Sequence, residues 1–362
     1  MGNLLLAPGS LFANRFEIER AAGNGGMGTI YRAKDRYSGD VIALKLLRSD
    51  KTQRGTEELH RFTREAQLLS ELRHPSIVAY VSHGQTPDGQ CFLAMEWLQG
   101  QDLGERLLRG PLPVRDCLRL IGQAADALSI AHQRGVIHRD VKPSNLFLVG
   151  NDLGRVKLLD FGIARHVTLR TMTQTGKVLG TPAYMAPEQA RGSRELTPAA
   201  DIFSLGCVLY ECLTGHPPFV ADHIAAALAR ILFEEPAPVG SCRLGVPAAV
   251  AALLHRLLAK DPKQRLADAA ALRAEIGNLG ELPEPALAVT APRSMPKTES
   301  FGEQEQSLLS IVLAARRKEE LLPGTSDLGS EGELATADRG ALLHTLAALG
   351  GSPDYLANGA LL

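Results

Sequence analysis

Val136-Ile137-His138-Arg139-Asp140-Val141-Lys142-Pro143-Ser144-Asn145-Leu146-Phe147-Leu148, followed by Leu158-Leu159-Asp160-Phe161-Gly162, is the stretch on which the reading of this chain turns. Phosphoryl transfer needs a carboxylate to orient the attacking hydroxyl and side-chain oxygens to hold magnesium against the phosphates. Asp140 suits the first task, Asn145 and Asp160 the second. Chance assembly of both segments in one chain is very improbable.

Upstream, Gly23-Asn24-Gly25-Gly26-Met27-Gly28 fits the pattern G-x-G-x-x-G. A dinucleotide-binding turn with that pattern opens a helix, whereas Thr29-Ile30-Tyr31-Arg32-Ala33 continues as a strand. Taken alone it is either a loop that covers phosphates or a plain hairpin. Ile42-Ala43-Leu44-Lys45 then ends an apolar strand on a lysine, which must reach solvent or find a buried anion. Leu59, Phe62, Ala66, Leu69 and Leu72 recur at helical spacing, with Glu65 on a face that could turn inward. Glu65 is either a solvated carboxylate or the partner of Lys45 in holding phosphates.

The composition agrees with an ordinary soluble protein. Of 362 residues, 45% are hydrophobic and 22% charged, with a formal net charge of −1 and a pI near 6.8. No basic excess supplies the footprint that nucleic-acid binding needs, and no run is long and apolar enough to span a bilayer. The N-terminus reads neither as a signal peptide nor as a myristoylation site. Cys91, Cys117, Cys207, Cys212 and Cys242 fall at irregular spacings, so we expect reduced, mostly buried thiols and a cytoplasmic protein.

The pattern divides the chain. Phe16 to Leu46 reads as short strands, crossed later by the one amphipathic helix, with Ile77 to Val81 and Cys91 to Trp97 as a hairpin. Helical patterns follow at Val114 to Gln133, Ala199 to Thr214, Ala221 to Leu232, Ala248 to Ala259 and Ala267 to Asn278. Residues 280–300 become Pro-rich and read as a flexible linker.

These motifs together resemble a bacterial, eukaryotic-like (Hanks-type) serine/threonine protein kinase. The resemblance implies an α+β, two-lobed fold over residues 11–279, with a mostly antiparallel small lobe over about 11–97 and a helical lobe over about 98–279. It implies ATP and Mg2+ as cofactors, with Mn2+ as an alternative, and proteins with Ser/Thr acceptors as substrates. Gly23, Gly25 and Gly28 would cover the phosphates. Lys45 and Glu65 would form an ion pair, Asp140 would be the catalytic base, and Lys142 would steady the γ-phosphate. Asn145 and Asp160 would bind the metal. Ile30, Ala43 and Phe147 would line the ATP site, Met95 would sit at the gatekeeper position, Glu96 to Leu98 would bond adenine through their backbone, and Asp102 would reach the ribose. Glu188 of Ala186-Pro187-Glu188 would pair with Arg265, and Asp201 would brace the backbone of His138 and Arg139. Lys142, with Gly180-Thr181-Pro182-Ala183-Tyr184, is similar to Ser/Thr kinases and unlike tyrosine kinases. Phe203 stands where the family usually has Trp, and Ile30 where Val is commoner. Tyr80 would join Leu69, His138 and Phe161 where aliphatics are usual, and its hydroxyl needs a partner. A pseudokinase would have lost Lys45, Asp140, Asn145 or Asp160, and all four are present.

Two expectations lie outside the catalytic motifs. Arg139 places a positive charge beside Asp140, and a phosphothreonine could neutralise it. Met172-Thr173-Gln174-Thr175-Gly176 resembles the doubly phosphorylated stretch of bacterial kinases, so Thr173 and Thr175 are expected autophosphorylation sites, reached through a transient kinase-domain dimer. Thr181 is expected to be a structural hydroxyl near Asp140 and Lys142. Beyond the linker, residues 301–362 read as a small βαβ-like module, truncated or degenerate, weakly similar to the start of a nucleotide-cyclase-like domain. The metal-binding aspartate of such a domain is missing, with Ala314-Ala315-Arg316 in its place, so cyclase activity is not expected.

Overall fold

The computed structural model describes residues 6–25, 28–47, 62–63, 66–87, 89–161, 182–193, 195–221 and 223–280. The expected linker beyond Gly280 and the expected module over 301–362 lie outside the described residues.

Alternating apolar residues build the smaller lobe. Strands β1 (Leu11–Phe12), β2 (Phe16–Gly25), β3 (Gly28–Asp35), β4 (Val41–Leu47), β5 (Tyr80–Gln85) and β6 (Cys91–Glu96) form one antiparallel sheet in the order β1-β2-β3-β4-β6-β5. Phe16, Ile18, Tyr31, Ala33, Ile42, Leu44, Phe92 and Ala94 fill one face. The helical residues 66–71 cover the other, where Phe62 and Ala66 meet Leu93. The alternation of side chains then puts Ile30, Ala43 and Lys45 on a single face, because Ile30 lies opposite Lys45 and Ala43 is two residues before it.

The first strand of the expected hairpin is displaced: the apolar run ends at Val81, whereas β5 covers Tyr80–Gln85. Ile77 and Val78 do not extend β5; they bond to the larger lobe instead, with Val78 N donating to Leu158 O at 3.1 Å and Leu158 N to Ser76 O at 2.8 Å. Apolar character marked these residues as buried without specifying the partner.

The larger lobe is built on two long helices whose observed bounds equal the expected ones. Helix α1 (Leu103–Leu107) is short; α2 (Val114–Gln133) buries an aliphatic stripe, and α3 (Pro187–Ala190) precedes α4 (Ala199–Thr214), which is covered on all sides. Helices α5 (Ile224–Phe233), α6 (Val239–Cys242), α7 (Ala248–Leu257) and α8 (Ala269–Asn278) surround them. A Cβ built on Gly206 would lie 2.8 Å from Leu257 Cβ, so glycine there allows α4 and α7 to approach closely. A second sheet, β7 (Gly100–Asp102), β8 (Leu146–Val149) and β9 (Val156–Leu158), lies at the junction of the lobes. No described helix is long and apolar enough to cross a membrane. All five cysteines are free thiols; Cys117, Cys207 and Cys212 are buried, Cys91 and Cys242 half-buried.

Phe203, in place of the usual tryptophan, stacks on Phe219 with centroids 6.0 Å apart. Lys260 lies 3.9 Å above the Phe219 ring and donates to Ile231 O at 2.8 Å. Burial lowers its pKa from 10.5 to about 8, with Arg265 adding to the shift and Glu234 and Glu235 opposing it. The folded-state pKa lies below the unfolded value, so between about pH 8 and 10.5 the unfolded chain binds more protons and stability rises with pH. Urea unfolding of the wild type and Lys260→Met across this window is expected to show the wild type gaining stability relative to the variant. A difference independent of pH would refute the perturbed lysine.

Candidate active site

The site is organised around a buried carboxylate. Asp201, on α4, has no exposed surface; its Oδ1 accepts from Arg139 N at 2.8 Å, and its Oδ2 from His138 N at 2.8 Å and His132 Nε2 at 2.9 Å. Such bonds compensate for burying a charge. They hold Arg139 in the left-handed region, φ 65°, which a non-glycine residue adopts only when its surroundings impose it. Gln189 Nε2 donates to the Arg139 carbonyl at 3.0 Å, while Gln189 Oε1 accepts from Ala186 N at 3.0 Å. His132 was not singled out in the sequence, and Gln189 only as the last residue of Met185-Ala186-Pro187-Glu188-Gln189, without a role; the fold brings both to this turn.

His138 takes its orientation from both ring nitrogens. Nε2 donates to Leu159 O at 2.8 Å, so Nδ1 is the acceptor that faces Asp140 N at 3.3 Å. Its ring lies 4.6 Å from that of Phe161. The turn carrying Asp140 is thereby joined to the segment carrying Asp160.

This framework brings the expected residues together. Lys142 Nζ lies 3.0 Å from Asp140 Oδ2, and Asn145 Nδ2 donates to Asp140 O at 2.7 Å and to Asp140 Oδ2 at 3.2 Å. With its amide nitrogen so used, Asn145 keeps its oxygen for another partner. Lys45, almost fully buried, lies 2.7 Å from Asp160 Oδ1. Glu65, Thr173, Thr175 and Thr181 lie outside the described residues, so the contact found for Lys45 is with Asp160. Asp140, Asn145 and Asp160 offer hard oxygen donors of the kind that binds Mg2+, an ion that keeps several waters and needs few protein ligands.

Ile30, Ala43, Met95 and Phe147 are all half-buried. Met95 lies opposite Ala43 and Phe147 opposite Asp102. Asp102 also caps α1, its Oδ1 accepting from Glu105 N at 2.9 Å. Among the described residues, neither backbone group of Leu98 has a hydrogen-bond partner, as a segment that bonds a planar heterocycle requires. The Glu96 side chain turns away: its Oε1 accepts from Ala79 N at 2.6 Å and meets Lys157 Nζ at 2.5 Å. Lys157 was not expected at the site.

Tyr80 borders a small cavity with Leu69, Met95 and Phe161, and its hydroxyl finds His83 Nδ1 at 2.5 Å. Burial raises the phenol's pKa and lowers that of His83, as suits a hydroxyl donor and an imidazole acceptor. Further out, Arg265 holds Glu188 through two bonds, Nη1 to Oε1 at 2.7 Å and Nη2 to Oε2 at 2.9 Å. Tyr184 OH donates to Glu211 Oε2 at 2.6 Å, and burial raises the pKa of both groups.

A small β-rich lobe, a helical lobe and this cluster between them define the protein kinase class, and the sequence matches the protein kinase domain family over residues 16–275. The chain belongs to that family, whose members use ATP and a divalent metal ion. It is 39% identical over 270 residues to the serine/threonine-protein kinase PknB of Mycolicibacterium smegmatis, covering 73% of this chain and 43% of that protein. PknB of Mycobacterium tuberculosis is 38% identical over 283 residues, 76% of this chain and 45% of the relative. The serine/threonine-protein kinase pkn3 of Myxococcus xanthus is 40% identical over 278 residues, 74% and 50%. The chain thus spans half the length of these relatives or less.

Gly28 has a steric role that its motif did not reveal. Its φ is 150°, and a Cβ there would lie 1.9 Å from Leu46 O, whereas one on Gly23 would meet nothing within 4 Å. Gly28→Ala is expected to destabilise the chain by roughly 2 kcal/mol or more, and Gly23→Ala by well under 1 kcal/mol. Thermal unfolding of the two variants checks this; equal losses would remove the distinction.

Proposed function

We propose that this chain is an ATP-dependent serine/threonine protein kinase acting in bacterial signalling, with a catalytic domain over residues 11–279. The observation that carries the reading is the cluster Asp140, Lys142 and Asn145 together with the Lys45–Asp160 pair, Leu159 beside Asp160 donating its N–H to Asn145 O at 2.8 Å. Asp140 orients the acceptor hydroxyl and receives its proton as the phosphorus–oxygen bond forms. Lys142 offsets charge on the transferring group, and Lys45 holds the α/β-phosphates, with Glu65 as its second partner. Asn145 and Asp160 hold Mg2+, or Mn2+ in its place, which neutralises charge on the phosphate oxygens when bound. Leu98 bonds the adenine through its free backbone groups, beneath Ile30 and Ala43, while Gly23, Gly25 and Gly28 cover the phosphates.

Serine and threonine are the proposed acceptors, supported by Lys142 and by the names of the relatives. Thr181 sets the acceptor pocket. Thr173 and Thr175 are autophosphorylated in a transient dimer and pair with Arg139. The protein works in the cytoplasm, without nucleic acid. The likeness of residues 301–362 to the start of a cyclase-like domain rests on the sequence alone, and that module is proposed as a regulatory remnant.

Purified chain with magnesium and labelled ATP is expected to phosphorylate serine or threonine of a general acceptor protein. Asp140→Asn should lower turnover by about 10²-fold or more while ATP still raises the unfolding temperature. Absence of both transfer and a magnesium-dependent ATP shift in the wild type would defeat the proposal. Separately, Thr173→Ala with Thr175→Ala is expected to lower activity about tenfold, about 1.4 kcal/mol of transition-state stabilisation, with ATP binding kept. Full turnover in that double variant would rule out the switch.

A further inference from the structure

On the larger lobe, α2, the turn between β8 and β9, and α8 enclose an open groove of about 610 Å³. Its apolar floor includes Leu118 and Ile276, and Gly280 stands on its rim. Three arginines line it: Arg115, Arg119 and Arg273. Arg273 is paired with Asp126 at 3.1 Å. Arg115 and Arg119, one turn apart on α2 and both exposed, have no ion-pair partner among the described residues. The Arg119 guanidinium lies against the turn at Gly154: a Cβ built there would be 2.3 Å from its Nη2.

Helix α8 ends at Asn278, and Gly280 has φ 64°, the left-handed conformation that turns the chain off a helix end. The next residues in sequence are Glu281-Leu282-Pro283-Glu284-Pro285-Ala286-Leu287. Two carboxylates therefore follow, within a few residues, a rim that carries two guanidinium groups without an ion-pair partner among the described residues. Pro283 and Pro285 bias Leu282 and Glu284 toward extended backbone. In a polyproline-type strand with about three residues per turn, Glu281, Glu284 and Leu287 fall on the same side.

We propose that residues 281–287 seat in this groove, with Glu281 and Glu284 on Arg115 and Arg119 and Leu287 toward the apolar floor. Each exposed pair is weak, but the segment is covalently attached beside its site, so it competes at high effective concentration against any free acidic peptide. The start of the expected linker would thus be a docked strap that sets where the rest of the tail departs. The inference is independent of the phosphoryl-transfer reading.

The test uses the full-length chain carrying Arg119→Lys or, separately, Arg115→Lys, and a zero-length carbodiimide, which joins an amine only to a carboxylate in contact with it. The Lys157–Glu96 pair, at 2.5 Å, is the internal control. An amide from the introduced lysine to Glu281 or Glu284 is expected in the monomer fraction, and it should vanish in Glu281→Gln/Glu284→Gln. Isotopically light and heavy chains are mixed before coupling. A product joining light to heavy chain would assign the groove to a second copy and overturn the proposal. So would formation of the control product alone in both lysine variants.

Discussion

The Asp201 carboxylate is the constraint on which the catalytic turn depends. It sits on a helix without exposed surface, where an uncompensated charge would cost several kcal/mol. Three N–H donors compensate it, two of them successive backbone amides of the turn it organises. Presenting both amides to one carboxylate requires the left-handed Arg139, so the strain at that residue and the charge on α4 are two sides of one arrangement. The directions of Asp140, Lys142 and Asn145 follow from it. His132 adds a second level of support: its other ring nitrogen accepts from Ala269 N at 3.4 Å, which extends the network to the start of α8.

A second buried charge pair fixes the segment that closes the site. Arg265 holds Glu188 in a bidentate contact and also donates to the carbonyls of Ala259, Lys260 and Ala199, so most of its donors are used. Phe203 supports the guanidinium from below, 4.9 Å from ring to Cζ. This accounts for the tolerance of phenylalanine where tryptophan is usual, since a flat ring under a cation is what the position needs. Gln189, next to Glu188, bonds the Arg139 carbonyl, so the two buried carboxylates meet through one short helix.

What could be read in the sequence was what is contiguous. Asp140, Lys142, Asn145 and Asp160 stand within one 21-residue span, and α2 and α4 keep uninterrupted periods that begin just after Pro113 and Pro198, so their bounds were legible. Strands β7 to β9, of three or four residues, are too short for a period of two to show. Long-range partners were hidden for a different reason. Glu96 and Lys157 are separated by 61 residues, and His132 and Asp201 by 69, so no spacing could pair them. Gly28 was legible as a motif member, but the closeness of Leu46 O, which excludes a Cβ there, exists only once β3 and β4 are paired.

Those same long-range contacts tie the smaller lobe to the larger at one edge of its sheet. Chain connectivity joins the lobes after Glu96, and a second tie runs through residues 76–79, bonded to Leu158 on one side and to Glu96 on the other. Lys157 closes the loop by bonding Glu96 and Ile77 O together. Both ties meet the sheet at β6 and β5, which form one of its edges. Strand β2 lies three strands from β6, about 14 Å away at the usual strand spacing. The Glu96 to Leu98 backbone therefore lies beside the anchored edge, and β2, which carries Gly23 and Gly25, lies away from it. The backbone proposed to bond adenine and the glycines proposed to cover the phosphates thus stand at different distances from the tie between the lobes, joined by a single sheet.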